Sequence, residues 1–328
     1  MKVSAPIIFK CNATPNTGFG HFSRCLNIAK AIEQLAPQQS IQFCGDYLPF
    51  AQQMLDQHEI KYLTSIDGIA KPFHMVFDDY QLTSQAVTLL SSKAQTLIAI
   101  DDFNALDLSR CDLVVNFRVG FDDEKYQAKS TCLGAKFFPF KQALKSLRER
   151  NIESPINDIN HITIFIGGQD KENCGQTLLS ALDRVLENKT IHLVSPLATQ
   201  ANRLNSTKNT LVVKPLTANI EDYYQVTDFF ISGGGLSKYE VSFCAIPNAC
   251  ISQNQGQADD SQIFSNQALT LDLGLVDDFM LNQTQCVKGL VDRIMSPQAA
   301  KLIEASQRVF DTNSCEALAN EILLRCYE

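Results

Sequence analysis

A chain of 328 residues, 45% of them hydrophobic, is long enough for two globular domains with cores of their own. A formal charge of −8 without any Lys/Arg cluster excludes a nucleic-acid surface, and no run of about 18 apolar residues offers a membrane span. With no basic segment leading into an apolar signal core, the expected location is cytoplasmic; eleven cysteines without a Cys-x-x-Cys pair read as reduced, buried thiols rather than zinc ligands.

The first apolar run, residues 5–11, reads as a buried strand. Residues 21–36 follow with Phe22, Cys25, Leu26, Ala29, Ile32 and Leu35 at helical spacing. Between them, Gly18-Phe19-Gly20-His21 sets a histidine on the first helical turn, with Arg24 one turn on. At a helix start the N–H groups lack partners and the dipole is positive, so an anion is favoured and imidazolium disfavoured. His21 is therefore expected to be neutral near pH 7 and able to accept a proton. The plainer alternative is a tight turn at Gly18 and Gly20 with His21 merely capping the helix. The loop is a poor dinucleotide fingerprint, because Ser23 replaces the third glycine and no clear ribose-binding acid ends the next strand, residues 41–44.

Further strand-like runs follow at 74–77, 96–100 and 113–115. Asp78-Asp79-Tyr80 leaves the first of these and Asp101-Asp102 the second. Acids at that position can orient His21, bind a sugar hydroxyl or hold Mg²⁺, or they can simply cap turns. No Asp-x-Asp occurs, so a metal-bridged diphosphate site lacks its usual ligands and no metal is expected. Residues 141–160 are charged and polar and read as a linker. The expected domains are therefore 1–150 and 151–328.

The second half repeats the alternation, with strands at 162–166, 191–194, 211–213, 229–231 and 248–251. Strands apolar on both faces and separated by helices imply parallel sheets, hence an α/β protein with two Rossmann-like domains facing a cleft. Gly167-Gly168 and Asp170 follow one strand. Ser232-Gly233-Gly234-Gly235 follows another and leads into a helix carrying Leu236, Tyr239 and Glu240. Consecutive glycines leave the backbone bare to a diphosphate, and Glu240 can accept hydrogen bonds from two ribose hydroxyls. Asn254 and Gln255, after the strand at 248–251, can bind sugar or phosphate oxygens or form an ordinary polar loop. Residues 283–327 read as helices broken at Pro297 and restarted near Asn313-Ser314; His58, His74, His161 and His192 read as structural. Two ligand-ready turns, one per domain, suggest one ligand held between them.

In order and spacing, Gly18-Phe19-Gly20-His21 with Arg24, Asp78 and Tyr80, Asp101-Asp102 leading to Cys111-Asp112 and Asn116, Gly167-Gly168 with Asp170, Glu240, and Asn254-Gln255 resemble a known family. This is the UDP-2,4-diacetamido-2,4,6-trideoxy-β-L-altropyranose hydrolase of pseudaminic acid biosynthesis, itself similar to GT-B glycosyltransferases. The resemblance runs over nearly the whole chain. It implies a two-domain GT-B-like fold, with the nucleotide on the C-terminal domain and the sugar toward the N-terminal one. It also implies metal-independent hydrolysis at the sugar C1 without a cofactor, with a UDP-linked sugar as the partner and a monomer as the expected state. His21 matches the general base, Tyr80 a sugar-side catalytic residue, Glu240 a ribose ligand and Asn254 a residue near the diphosphate. With them, Gly18, Gly20, Arg24, Asp78, Gly168, Gly233, Gly234, Gly235, Leu236 and Gln255 form the expected substrate-binding set.

The chain departs from the family where Lys10 and Asn12 replace Arg-x-Asp and where Asp79 replaces the histidine of Asp-His-Tyr. Such an exchange can retune His21 or change which sugar fits. The competing readings are a glycosyltransferase on the same scaffold and a non-catalytic sugar-nucleotide binder. Against a lipid acceptor, no apolar or basic patch is legible in the N-terminal half.

Overall fold

The computed structural model describes residues 5–69, 71–168, 170, 172–195, 197–217 and 219–328. The chain forms two compact units, one running to Lys141 and joined by Asp311–Glu328, the other Gln142–Phe310.

The first unit holds a seven-stranded sheet of β1 (Ile7–Cys11), β2 (Ile41–Cys44), β3 (Lys61–Leu63), β4 (His74–Asp78), β5 (Thr96–Ile100), β6 (Leu113–Asn116) and β7 (Thr131–Leu133). Its order is β3-β2-β1-β4-β5-β6-β7, with every pairing parallel. Every residue of β4, β5 and β6 is buried, because helices cover both faces, and this is why those strands read as largely apolar runs with polar residues only at their ends. The edge strands β3 and β7 have three residues each and are partly exposed, so they carry too little apolar pattern to be read from sequence.

The second unit holds β8 (His161–Phe165), β9 (Thr190–Ser195), β10 (Asn202–Leu204), β11 (Thr210–Pro215), β12 (Phe229–Gly233), β13 (Asn248–Ser252) and β14 (Leu271–Leu275). The order is β10-β11-β9-β8-β12-β13-β14, parallel except for β10 against β11. Both sheets reverse their winding at one point, between β1 and β4 in the first unit and between β8 and β12 in the second. In doubly wound sheets the loops leaving the carboxyl ends of such strands form the ligand crevice.

The unit boundary differs from the expected division at residue 150. The polar stretch read as a linker is helix Ala143–Glu153, and its Arg148 is buried. Arg148 donates to the carbonyls of Phe243 at 2.5 Å and Phe310 at 2.8 Å, which ties the helix into the second unit. Conversely, helix Ser314–Tyr327 belongs to the first unit. It buries Leu318, Ala319, Ile322 and Cys326 and packs on helix Gly20–Leu35. Ser314 Oγ donates to Phe138 O at 2.7 Å, and Tyr327 OH donates to Gln39 Oε1 at 3.0 Å. Side-chain polarity suggested a linker, but what decides membership is where those polar groups find partners.

Candidate active site

The loop after β1 is built to start a helix abruptly. Gly18 sits at φ +71°, a left-handed conformation that favours glycine, and its N–H donates to Thr14 O at 2.9 Å. Helix Gly20–Leu35 then begins, with His21 and Arg24 three residues apart on one face. β4 lies beside β1 with Cys11 opposite Asp78, so the carboxylate at the end of β4 meets that face.

The result is a closed cluster of five side chains. His21 Nδ1 lies 2.6 Å from Asp78 Oδ1. Arg24 grips Asp78 twice, through Nε to Oδ2 and through Nη2 to Oδ1 at 2.6 Å, and donates from Nη1 to Asp102 Oδ2 at 2.8 Å. Tyr80 OH donates to the same Asp102 oxygen, and the Tyr80 and His21 rings meet edge-on at 4.2 Å. Phe117 supports the guanidinium from 5.0 Å. Asp78, Arg24 and Asp102 are buried.

Burial alone would raise the Asp78 carboxyl, but the Arg24 guanidinium and the bonds from Arg24 and His21 hold it below the usual carboxylate range. Burial also opposes charge on Arg24, and the two carboxylates outweigh it, raising the guanidinium well above its ordinary value. Burial, with Asp102 and Asp78 against Arg24, pushes the Tyr80 phenol up, so it keeps its proton and donates. Arg24 Nη2 also approaches His21 Nδ1 at 3.3 Å, but the ionised carboxylate at 2.6 Å can only accept. Nδ1 therefore carries the hydrogen and Nε2 is the acceptor. Two carboxylates against one guanidinium leave the Arg24, Asp78 and Asp102 side chains one negative charge in excess.

The acid pairs thus divide. Asp78 and Asp102 join the cluster, while Asp79 and Asp101 hold loops. Asp101 Oδ2 accepts from Asn104 N at 2.6 Å and Tyr126 OH at 2.8 Å. Asp79 Oδ2 accepts from Lys10 Nζ at 3.2 Å and Asn12 Nδ2 at 3.3 Å. The departures at residues 10, 12 and 79 therefore meet in one contact, and Lys10 offsets the charge gained at Asp79. Among the described residues no group of three or more His, Cys, Asp or Glu is disposed to hold a metal ion.

Sequence reasoning missed the aromatic surroundings. Phe117 and Phe103 carry no motif signal beyond lying just after Asn116 and Asp102. It also missed an apolar patch on the loop itself. Phe19, Leu48 and Phe50 are 37%, 44% and 44% exposed, with the Phe19 and Phe50 rings 5.3 Å apart. Two separated stretches, at residue 19 and at 48–50, contribute little apolar signal each, so only folding groups them.

In the second unit the glycines serve two purposes. A Cβ on Gly233 would lie 2.0 Å from Ile166 O, so this glycine lets β12 and β8 approach at the switch point. Gly234 is hemmed in by Ser252 and Gln257, whereas Gly168 and Gly235, of these motif glycines, have no neighbour within 4 Å of a built Cβ and present open backbone. The expectation of three bare glycines is corrected to that extent. Leu236 adjoins Gly235 and precedes helix Ser237–Phe243. Glu240 Oε2 accepts from the buried Tyr224 OH at 2.8 Å, which fixes the carboxylate.

Other expected ligands have structural partners. Asp170 accepts from Cys174 N and Gly175 N, both at 2.8 Å, and so occupies the start of helix Cys174–Val185 itself. Asn254 Oδ1 caps helix Gln255–Asn266 by accepting from Gln257 N at 3.0 Å, and Gln255 donates to Asp259 at 2.7 Å. A cavity of about 480 Å³ opens at the ends of β8 and β9, lined by Gly167, Asn173, Gln176, Leu193 and Ser195 among others. All eleven cysteines are free. His74 Nδ1 pairs with Thr96 Oγ1 at 2.9 Å and His161 stacks on His192, both remote from the motifs above.

Two doubly wound sheets, each with its motifs at the switch point, define the GT-B fold class. Solved structures agree. MurG of Acinetobacter baumannii matches at a TM-score of 0.66 and 13% identity over 97% of this chain and 99% of that one. Anabaena Alr3699/HepE, solved in complex with UDP and glucose, matches at 0.55 and 12% over 98% and 99%. In sequence, the chain is similar to a Helicobacter pylori protein named pseudaminic acid cytidylyltransferase and UDP-2,4-diacetamido-2,4,6-trideoxy-beta-L-altropyranose hydrolase, at 24% identity over 271 residues. That match covers 80% of this chain and 47% of the relative, so the chain spans about half of that protein's length. It is also similar to the spore coat polysaccharide biosynthesis protein SpsG of Bacillus subtilis, 23% identical over 278 residues, 79% of this chain and 80% of that one. No family model matches the chain.

Proposed function

We propose that this protein is a nucleotide-sugar hydrolase of nonulosonic acid biosynthesis that cleaves the C1–O bond of a UDP-linked diacetamido-trideoxyhexose. The His21–Asp78 pair carries the reading. Asp78 fixes the tautomer and orientation of His21, so Nε2 takes a proton from water while the water oxygen bonds to C1. The C1–O bond breaks with its electron pair leaving on UDP, and the charge formed on the imidazole is offset by Asp78. Base catalysis of this kind is worth roughly 10²- to 10⁴-fold. UDP is a good leaving group, so no metal step is required. The open amides at Gly168 and Gly235 and the carboxylate of Glu240 serve the diphosphate and ribose, and the cavity beside β8 and β9 has room for a nucleoside. The name of the Helicobacter relative supports the substrate class, and that of the Bacillus relative supports a place in polysaccharide biosynthesis.

Release of UDP from this substrate without any acceptor is the test. His21→Ala abolishes release while UDP still binds, and EDTA has no effect. In ¹⁸O-water the label enters the sugar; label in the phosphate would place attack at phosphorus and refute the scheme. The second reading, a GT-B glycosyltransferase, is favoured by the exposed Phe19, Leu48 and Phe50, which suit an apolar acceptor. Turnover that demands an added acceptor decides for it.

A further inference from the structure

Phe103 is 61% exposed although the loop that carries it is held firmly. Asp101 Oδ2 accepts from Phe103 N at 3.1 Å and Asn104 N at 2.6 Å, and Asn104 turns the chain at φ +51°. The phenyl ring meets Tyr80 edge-on at 4.9 Å, and Tyr80 meets His21 at 4.2 Å. On its other flank the Arg118 guanidinium lies 5.8 Å from the ring centroid, anchored by Nη1 donating 2.7 Å to Asp102 O. The ring is thus fixed by its neighbours, contributes little to the core and continues an aromatic row that begins at His21. Tyr80 itself is 49% exposed, while its hydroxyl donates to Asp102 and accepts from Arg24 Nη2 at 3.4 Å, so its ring surface is what it chiefly offers a ligand.

We propose that Tyr80 and Phe103 form an apolar platform for the sugar, and that Phe103 selects deoxygenated, N-acylated hexoses over fully hydroxylated ones. The proposal rests on the hydrolase reading, since the platform adjoins the base that would face the anomeric carbon. A hydroxyl pressed onto a phenyl face gives up water without gaining a partner, whereas a methyl or C–H face gives up nothing and hides apolar area. A diacetamido-trideoxyhexose presents a C6 methyl and two acetyl methyls; glucose and galactose present hydroxyls there.

The experiment measures kcat/KM for the UDP-diacetamido-trideoxyhexose and for UDP-glucose with wild type, Phe103→Ala and Phe103→Tyr. Phe103→Ala is expected to lower the first value about tenfold or more, chiefly through KM, and the second by much less. Phe103→Tyr retains most of the wild-type preference, and UDP affinity and Tm stay unchanged, as fits an exposed ring. Equal losses on both substrates, or a change within about twofold on the first, overturn the platform. Saturation-transfer NMR of the free diacetamido-trideoxyhexose gives a readout independent of turnover. Its methyl signals are enhanced by wild type and lost with Phe103→Ala, and equal enhancement by both overturns the proposal. A wild type that binds this sugar in a Phe103-dependent way yet releases no UDP defeats the hydrolase reading and leaves the platform standing.

Discussion

Asp78→Asn keeps the shape of the buried carboxylate and removes its charge. Asp78 accepts two bonds from Arg24 and one from His21 in a site with no solvent exposure of its own. An amide there retains one acceptor and turns an NH₂ toward groups that are themselves donors. Removing one partner of a buried ion pair typically costs about 3–5 kcal/mol, because the remaining charge is left without compensation. Asp102 still accepts from Arg24 Nη1 at 2.8 Å, which places this case at the lower end. A loss of about 3 kcal/mol, at roughly 2–4 °C per kcal/mol for a domain of this size, lowers Tm by about 6–12 °C. The amide also favours the other tautomer, with hydrogen on Nε2, so on the proposed mechanism the base is lost and kcat falls by about 10²- to 10⁴-fold. Differential scanning fluorimetry reads the first effect and chromatographic release of UDP the second, with calorimetry confirming that UDP still binds. A Tm within about 2 °C of wild type would refute the energetic role of the pair. A kcat within about threefold would refute the orienting role of Asp78.

Further outcomes follow from the same contacts. Because folding depresses the Asp78 carboxyl, its contribution to stability is complete above the unfolded value of about 3.9 and is lost as pH falls through the lower folded value. The acid limb of a urea-stability profile is therefore steeper for wild type than for Asp78→Asn. His192 is lowered to about 4 by burial, with Lys214 and His161 adding to it. Stability above its unfolded value of about 6.5 is unaffected by this group; as pH falls from there towards about 4 stability is progressively lost, a dependence that His192→Gln removes. Gly233→Ala drives a methyl group against Ile166 O and lowers stability by about 1–3 kcal/mol in chemical denaturation. Gly235→Ala meets nothing within 4 Å and leaves stability unchanged, but it weakens UDP binding in calorimetry if that amide faces the diphosphate.

Much of this architecture is written in the chain because central parallel strands are covered on both faces. Residues 74–77, 96–100 and 113–115 had to be largely apolar runs, and they correspond to β4, β5 and β6. The helices after residue 283 were legible for the same kind of reason, their buried positions recurring at helical spacing up to the break at Pro297. His21 and Arg24 could be paired on one helical face from their spacing alone.

The local sequence could not say which aspartate of each pair turns toward that face. Successive residues leaving a strand point to opposite sides, so Asp78 and Asp79 diverge, as do Asp101 and Asp102, and only strand order and register select the inner member. Nor could it show that Asn12 and Asp79, 67 residues apart, form one contact, or that helix Ser314–Tyr327 completes the first unit. Periodicity is a property of each element by itself, and the chain states it directly. Which polar groups become neighbours depends on contacts between distant segments, and those exist only once the sheets have formed.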